Sequence, residues 1–157
     1  MHVEPQKEHQ WLQQLVGEWT FEHACAPGQP PSTGTDTVRS LGDVWILCDG
    51  RFEMPDGGLG TTLMTLGYDP AKQRFVGTFI GSMMTNLWIY EGSLVGNVLT
   101  LDAEGPGFSP EGTPTGKVAR YQDVIEITGD GQRTLTSHIL GDDGKWTQFM
   151  QAHYRRK

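Results

Sequence analysis

The sequence predicts an all-β fold: a ten-stranded antiparallel up-and-down β-barrel preceded by one short helix. Three observations carry that prediction. The chain divides into ten short runs rich in β-branched and aromatic residues. Most of the joints between them carry hairpin chemistry, as in "LGD", "DPAKQ", "VGN", "GDGQ" and "GDDGK". A meander of this length leaves two exposed sheet edges unless it closes on itself. The 157 residues suffice for one core without disulfide staples, and no repeat, heptad pattern or composition break divides them. Residues 1–157 therefore read as a single barrel domain.

The helix is expected at about residues 5–16. Pro5 suits a first turn, Trp11, Leu12, Leu15 and Val16 form one apolar face, and Gly17 ends the segment. The first strand, "GEWTFEHA" (17–24), places Trp19, Phe21 and His23 on one face. The next four are "TGTDTVRSL" (33–41), "DVWILCDGRFEM" (43–54), "LGTTLMTLGYD" (59–69) and "RFVGTFIG" (74–81). The last five are "NLWIYEGSL" (86–94), "NVLTLDAEG" (97–105), "KVARYQDVIEI" (117–127), "RTLTSHIL" (133–140) and "KWTQFMQAHYR" (145–155). In the eighth, Tyr121, Asp123, Ile125 and Ile127 share the face opposite Arg120. In the tenth, Trp146/Met150/Tyr154 and Phe149/His153 are both plausible inner faces.

Connections in such a barrel alternate between two ends. The end beside the helix receives only tight turns. The opposite end receives both long Pro/Gly-rich connections, 25–33 and 104–116, together with "GSMMTN" (81–86). The result is a cup with one loopy mouth. Met83 and Met84 at that mouth make a soft apolar rim, able to cover a guest, a neighbouring loop or a second subunit.

A formal charge of −7 excludes nucleic acid and anionic membranes as partners, since phosphate binding needs clustered Lys and Arg and "YRRK" is the sole basic cluster. The N-terminus lacks an apolar h-region and no run approaches the ~18 apolar residues of a membrane span, so a cytoplasmic location is expected. Cys25 and Cys48 are then expected as reduced thiols. P-loop, HExxH, GxSxG, CxxC and GxGxxG signatures are all absent, and "GDDGK" reads as a hairpin turn rather than a calcium loop.

Chemistry-bearing residues are few. His23 and His138 fall near the mouth and would meet if both point inward, which suits proton transfer. His153 is formally a haem ligand in a ten-stranded barrel, although no cofactor is otherwise implied, and no metal site is expected. Asp49, Glu53, Glu91, Asp123 and Glu126 lie in strands, where alternation sends about half of all residues outward. An inward Arg39, Arg51 or Arg120 would hold a ligand carboxylate, with Arg120 on the outward face.

Gly17-Glu18-Trp19, on a first strand directly after a short helix, resembles the G-x-W element of the lipocalin-like (calycin) barrels. That resemblance implies a Trp inside the closed end with an Arg from the last strand packed across it, here Arg155 or Arg156 against Trp19. "HQWLQQLVGEW", "STGTDTVRSLGDVWIL", "TLGYDPAKQRFVGTFIGSMMTNL", "YEGSL" and "DDGKWTQFMQAHYRRK" resemble an uncharacterised bacterial family of lipocalin-like domains, domain of unknown function 1579. Phe79 and Gly81 stand where relatives often carry Trp and Asp, so a carboxylate role at that place does not transfer.

The expected function is non-enzymatic binding of a small apolar or amphipathic molecule inside the barrel. The expected lining or rim residues are Trp19, Phe21, His23, Phe79, Met83, Met84, Trp88, Tyr90, His138 and Met150. The alternatives are an enzyme using His23, His138 or an internal carboxylate, or a filled barrel acting as a homodimeric interaction module.

Overall fold

The structure, a computed structural model, describes residues 1–24 and 30–157. It has one helix, α1 (Lys7–Gln13), and ten strands: β1 (Gly17–Ala24), β2 (Ser32–Leu41), β3 (Trp45–Glu53), β4 (Leu59–Asp69), β5 (Arg74–Gly81), β6 (Trp88–Val95), β7 (Val98–Phe108), β8 (Pro114–Gly129), β9 (Gln132–Leu140) and β10 (Trp146–Arg156). Each strand pairs antiparallel with its chain neighbours, and β1 also pairs with β10, Phe21 opposite Tyr154. The barrel is closed, so no strand edge remains open.

Helix α1 is shorter than the apolar stripe suggests. Pro5 precedes Gln6, which is the N-cap. The Gln6 backbone N–H donates to His9 Nδ1 at 2.9 Å, and His9 Nε2 lies 3.0 Å from the Tyr68 carbonyl oxygen. With Nδ1 accepting, Nε2 carries the proton and ties the first turn to β4. After Gln13 the turn tightens: Leu15 N–H and Val16 N–H bond three residues back, to Leu12 and Gln13. This turn drives Leu12 and Leu15 fully into the barrel's lower end.

Gly17 follows with φ +140°, and a Cβ there would overlap Arg156 Nη1. The missing side chain lets Arg156 cross beneath the barrel, donating from Nη1 to the Val16 carbonyl and from Nη2 to that of Gln14, each at 2.7 Å. Its guanidinium lies over Trp19. Arg155, the other candidate for this closure, pairs with Thr20 on the outer face and is exposed.

The mouth also differs from expectation. The 104–116 segment is mostly strand: β7 continues to Phe108 and β8 begins at Pro114, with a register shift between Pro106 and Phe108. Gly105 allows this. A Cβ there would overlap the Trp88 ring, so the indole from β6 lies on bare backbone. Residues 25–29 of the Pro-rich connection, with Cys25 and any Cys25–Cys48 pairing, lie outside the described residues.

Below the middle the barrel is packed solid by Leu12, Ile46, Leu66, Phe75, Leu99 and Leu101. Trp11 seals this layer from beneath, edge-on to Phe75 and donating to Asn97 Oδ1 at 3.3 Å.

Candidate functional site

The upper part of the barrel, between β1–β5 and β8–β10, is hollow. A cavity of about 310 Å³ runs from Leu15, Asp36 and Arg133 up to Met83 and Met84. Its walls are Phe21, Phe52, Met64, Phe79, Ile125, Leu135 and Met150, with small gaps at Gly50, Thr62 and Ala152. Glycines keep it open. A Cβ on Gly34 would meet the Phe21 ring at 2.5 Å, and one on Gly60 the Phe52 ring at 2.6 Å. Both rings therefore fold flat onto the neighbouring strand instead of filling the lumen.

The floor is a buried ion pair. Arg133 Nη2 donates to Asp36 Oδ2 at 2.8 Å, and Arg133 is 4% exposed. The guanidinium carbon sits 3.8 Å from the Tyr154 ring centroid and 4.6 Å from that of Trp19. Arg133 is thus flanked by two π faces, which suits a weakly hydrated cation in a dry site. Burial pushes the Asp36 carboxyl above its ordinary range, with Arg133 opposing the shift. Burial likewise pushes the Tyr154 phenol up, and it pushes the Cys48 thiol to about 12, so neither supplies an anion.

The pair leaves the cavity without net charge, and arithmetic shows what this excludes. A ligand carboxylate ~4 Å from Arg133 would gain roughly 4 kcal/mol at an effective dielectric near 20, and lose roughly 3 kcal/mol to Asp36 at ~5 Å. Desolvating the carboxylate costs several kcal/mol more. An ammonium meets the mirror-image difficulty.

His23 stands above the floor, edge-on to Phe52 with ring centroids 5.7 Å apart. Burial lowers its pKa, which favours the neutral imidazole. Nδ1 is shielded and has no hydrogen-bond partner among the described residues. At the mouth, Met84 Sδ accepts the Trp88 indole N–H at 3.1 Å, and Met83 lies beside it, 38% exposed. The two methionines cover the cavity.

Phe21, His23, Phe79, Met83, Met84 and Met150 thus line one space. Four other expected lining residues do not. Trp19 lies below the floor, its indole N–H donating to the Leu15 carbonyl at 2.8 Å. Trp88 packs edge-on to Tyr121 and onto Gly105, inside the barrel but beside the cavity. Tyr90 is buried in the packed half, donating its hydroxyl proton to Asp123. His138 follows Ser137, whose hydroxyl points inward to Asp123 at 2.6 Å, so alternation turns His138 outward and away from His23. The expected meeting of His23 and His138 at the mouth is therefore not formed. His153 is exposed on the outer face. Among the described residues no three His, Cys, Asp or Glu side chains converge as a metal site.

Two internal groups had no assigned role in the sequence reading. Asp123, expected on the face opposite the outward Arg120, is a buried acceptor for Tyr90 and Ser137, and burial raises its pKa. Arg39, Arg51 and Arg120 are all exposed, and the inward arginine is Arg133. Its clue was alternation with Leu135 and Ser137 in "RTLTSHIL".

Residues 4–156 match the family described as "Protein of unknown function (DUF1579)". The chain belongs to this family. No curated protein matches the sequence. Among solved structures, the DUF1579 chain is similar to Rv2717c from M. tuberculosis at 14% identity and TM-score 0.62, covering 98% of this chain and 99% of that one. It is also similar to a de novo designed fluorescence-activating β-barrel at 13% identity and TM-score 0.49, covering 92% and 95%. The Rv2717c likeness extends the barrel architecture over the full chain. Among the described residues no helix is long and apolar enough to cross a membrane.

Proposed function

We propose that this DUF1579 protein binds a small apolar or amphipathic molecule, without chemical turnover, inside its barrel. The observation that supports this is the preformed cavity of about 310 Å³ with predominantly apolar walls beneath a methionine rim. Well-packed interiors contain few voids larger than a water, and a dry apolar cavity of ~150 Å³ is enough to take up benzene. The space here is large enough for a guest of at least two fused rings. In this reading the chain is a lipocalin-like carrier, with the Trp19–Arg156 closure beneath and the guest entering past Met83 and Met84.

Uptake of naphthalene, followed by quenching of the protein's tryptophan fluorescence, tests the reading. Saturable binding is expected, and Ala152→Phe, which projects a ring into the cavity, should abolish it while the fold persists by circular dichroism. Absence of saturable binding, or binding unchanged in a folded Ala152→Phe protein, would overturn it.

A further inference from the structure

The inward arginine of this barrel already holds a carboxylate. Arg133 and Asp36 are both buried and both border the cavity, and Arg133 Nη2 donates to Asp36 Oδ2 at 2.8 Å. Asp36 Oδ1 lies beside the gap that Gly50 leaves in the cavity wall, since a Cβ added there would come within 3.9 Å of it. Strands β2 and β9, which carry the pair, are separated by β1 and β10, so the bond is made across the barrel interior rather than along its wall. Tyr154 and Trp19 fix the guanidinium through their π faces. A buried ion pair adds little net stability over apolar residues of the same volume. Its larger consequence here is for what the cavity can admit.

We propose that Asp36 sets the specificity of the cavity for uncharged guests, by filling the place beside Arg133 that a guest carboxylate would otherwise take. This rests on the reading of the cavity as a binding site, and it narrows the guest from amphipathic molecules in general to those without an ionised group. Arg133 alone, in an apolar lumen, would favour an organic acid, because a guanidinium binds a carboxylate through charge-assisted N–H bonds. With Asp36 in place that donor is used and a second anion is repelled. An ammonium guest gains no more, since Arg133 repels it and already neutralises Asp36. A neutral guest meets neither repulsion and keeps every contact with Phe21, Phe79 and Met150.

Asp36→Asn is the direct test, since the amide keeps the shape of the side chain and removes its charge. Naphthalene, naphthoate and naphthylmethylammonium are titrated into both proteins at neutral pH, followed by quenching of tryptophan fluorescence. The wild-type protein is expected to bind naphthalene tightest. In Asp36→Asn the affinity for naphthoate relative to naphthalene should rise on the order of a hundredfold, the scale of removing a like charge ~5 Å away. The ammonium should stay excluded. An unpaired buried Arg133 lowers stability, so a second variant is read through folding itself. Asp36→Ala vacates the place of the carboxylate. Sodium formate should restore its fold, seen as a melting temperature several degrees above that in sodium chloride of equal strength, with no such difference in the wild-type protein. Three results would each overturn this inference: tightest wild-type binding of either charged probe, an unchanged naphthoate-to-naphthalene ratio in a folded Asp36→Asn protein, or no effect of formate on Asp36→Ala. Saturable uptake of naphthalene beside any of them leaves the binding reading standing. Failure of naphthalene to bind the wild-type protein would overturn both.

Discussion

Arg156 lies across Trp19, its guanidinium carbon 4.3 Å from the indole centroid, while the same group caps two carbonyls at the end of the N-terminal turn. One side chain thus joins the last strand, the first strand and the helical segment that closes the barrel. Replacing Arg156 by Ala should cost about 1–2 kcal/mol, the scale of charge-assisted bonds to backbone discounted for solvent screening. Arg156→Lys should recover less than half, because an ammonium lacks the planar fork that reaches both carbonyls while stacking. Urea denaturation reads this as a lowered midpoint with unchanged slope.

Stability should fall between acid and neutral pH through the buried carboxyls. Asp36 and Asp123 both have folded-state pKa values raised above the ordinary 3.8 by burial. The native state therefore holds protons that the unfolded chain has released. That contribution is complete below the unfolded pKa and is lost as pH rises through the folded values. His23 has the opposite sign: its lowered pKa makes its contribution full above 6.5 and lost as pH falls through the folded value. Melting temperature followed across acid pH should show a shallower decline in Asp123→Asn, since an amide still accepts one of the Tyr90 and Ser137 hydrogen bonds.

Gly34 carries a wall of the cavity by having no side chain. An added Cβ would overlap the Arg51 carbonyl oxygen as well as Phe21, and backbone yields less readily than a ring. Gly34→Ala should therefore cost about 1–3 kcal/mol, typical of overpacking. It should also turn Phe21 into the lumen and weaken uptake of naphthalene-sized probes. Chemical denaturation and fluorescence titration of the same protein check both effects.

The barrel was legible because its determinants are local. Alternation and turn residues such as "VGN" specify strand and reversal within a few positions, and closure follows once edges must be covered. The floor was not legible, because Arg133 and Asp36 are 97 positions apart and hydropathy alone sends each outward. Arg133 also follows a turn, where a solvated cation is the ordinary outcome. The segment "EGPGFSPEGTPTG" has the composition of a loop, yet Gly105 is a landing place for Trp88, a relation visible only across strands. The last strand resisted a parity assignment because its register shifts between Gln148 and Met150. No single alternation spans it, and Met150, Ala152 and Tyr154 face inward only after that shift.

Met83 and Met84 form the cover of the cavity, held by one sulfur–indole contact from Trp88. Flexible thioethers repack at small cost, so they suit a gate that must admit a guest and then exclude water behind it. The double substitution Met83→Ser, Met84→Ser should change global stability by less than about 1 kcal/mol, since Met83 is already 38% exposed and Met84 lies at the rim. The effect on binding should be larger and kinetic. Loss of the cover should raise the dissociation rate of naphthalene several-fold while association changes little, as affinity differences within one site reside mostly in dissociation. Stopped-flow displacement measures the two rates separately. Unchanged dissociation would place the methionines in packing alone, with entry to the cavity elsewhere.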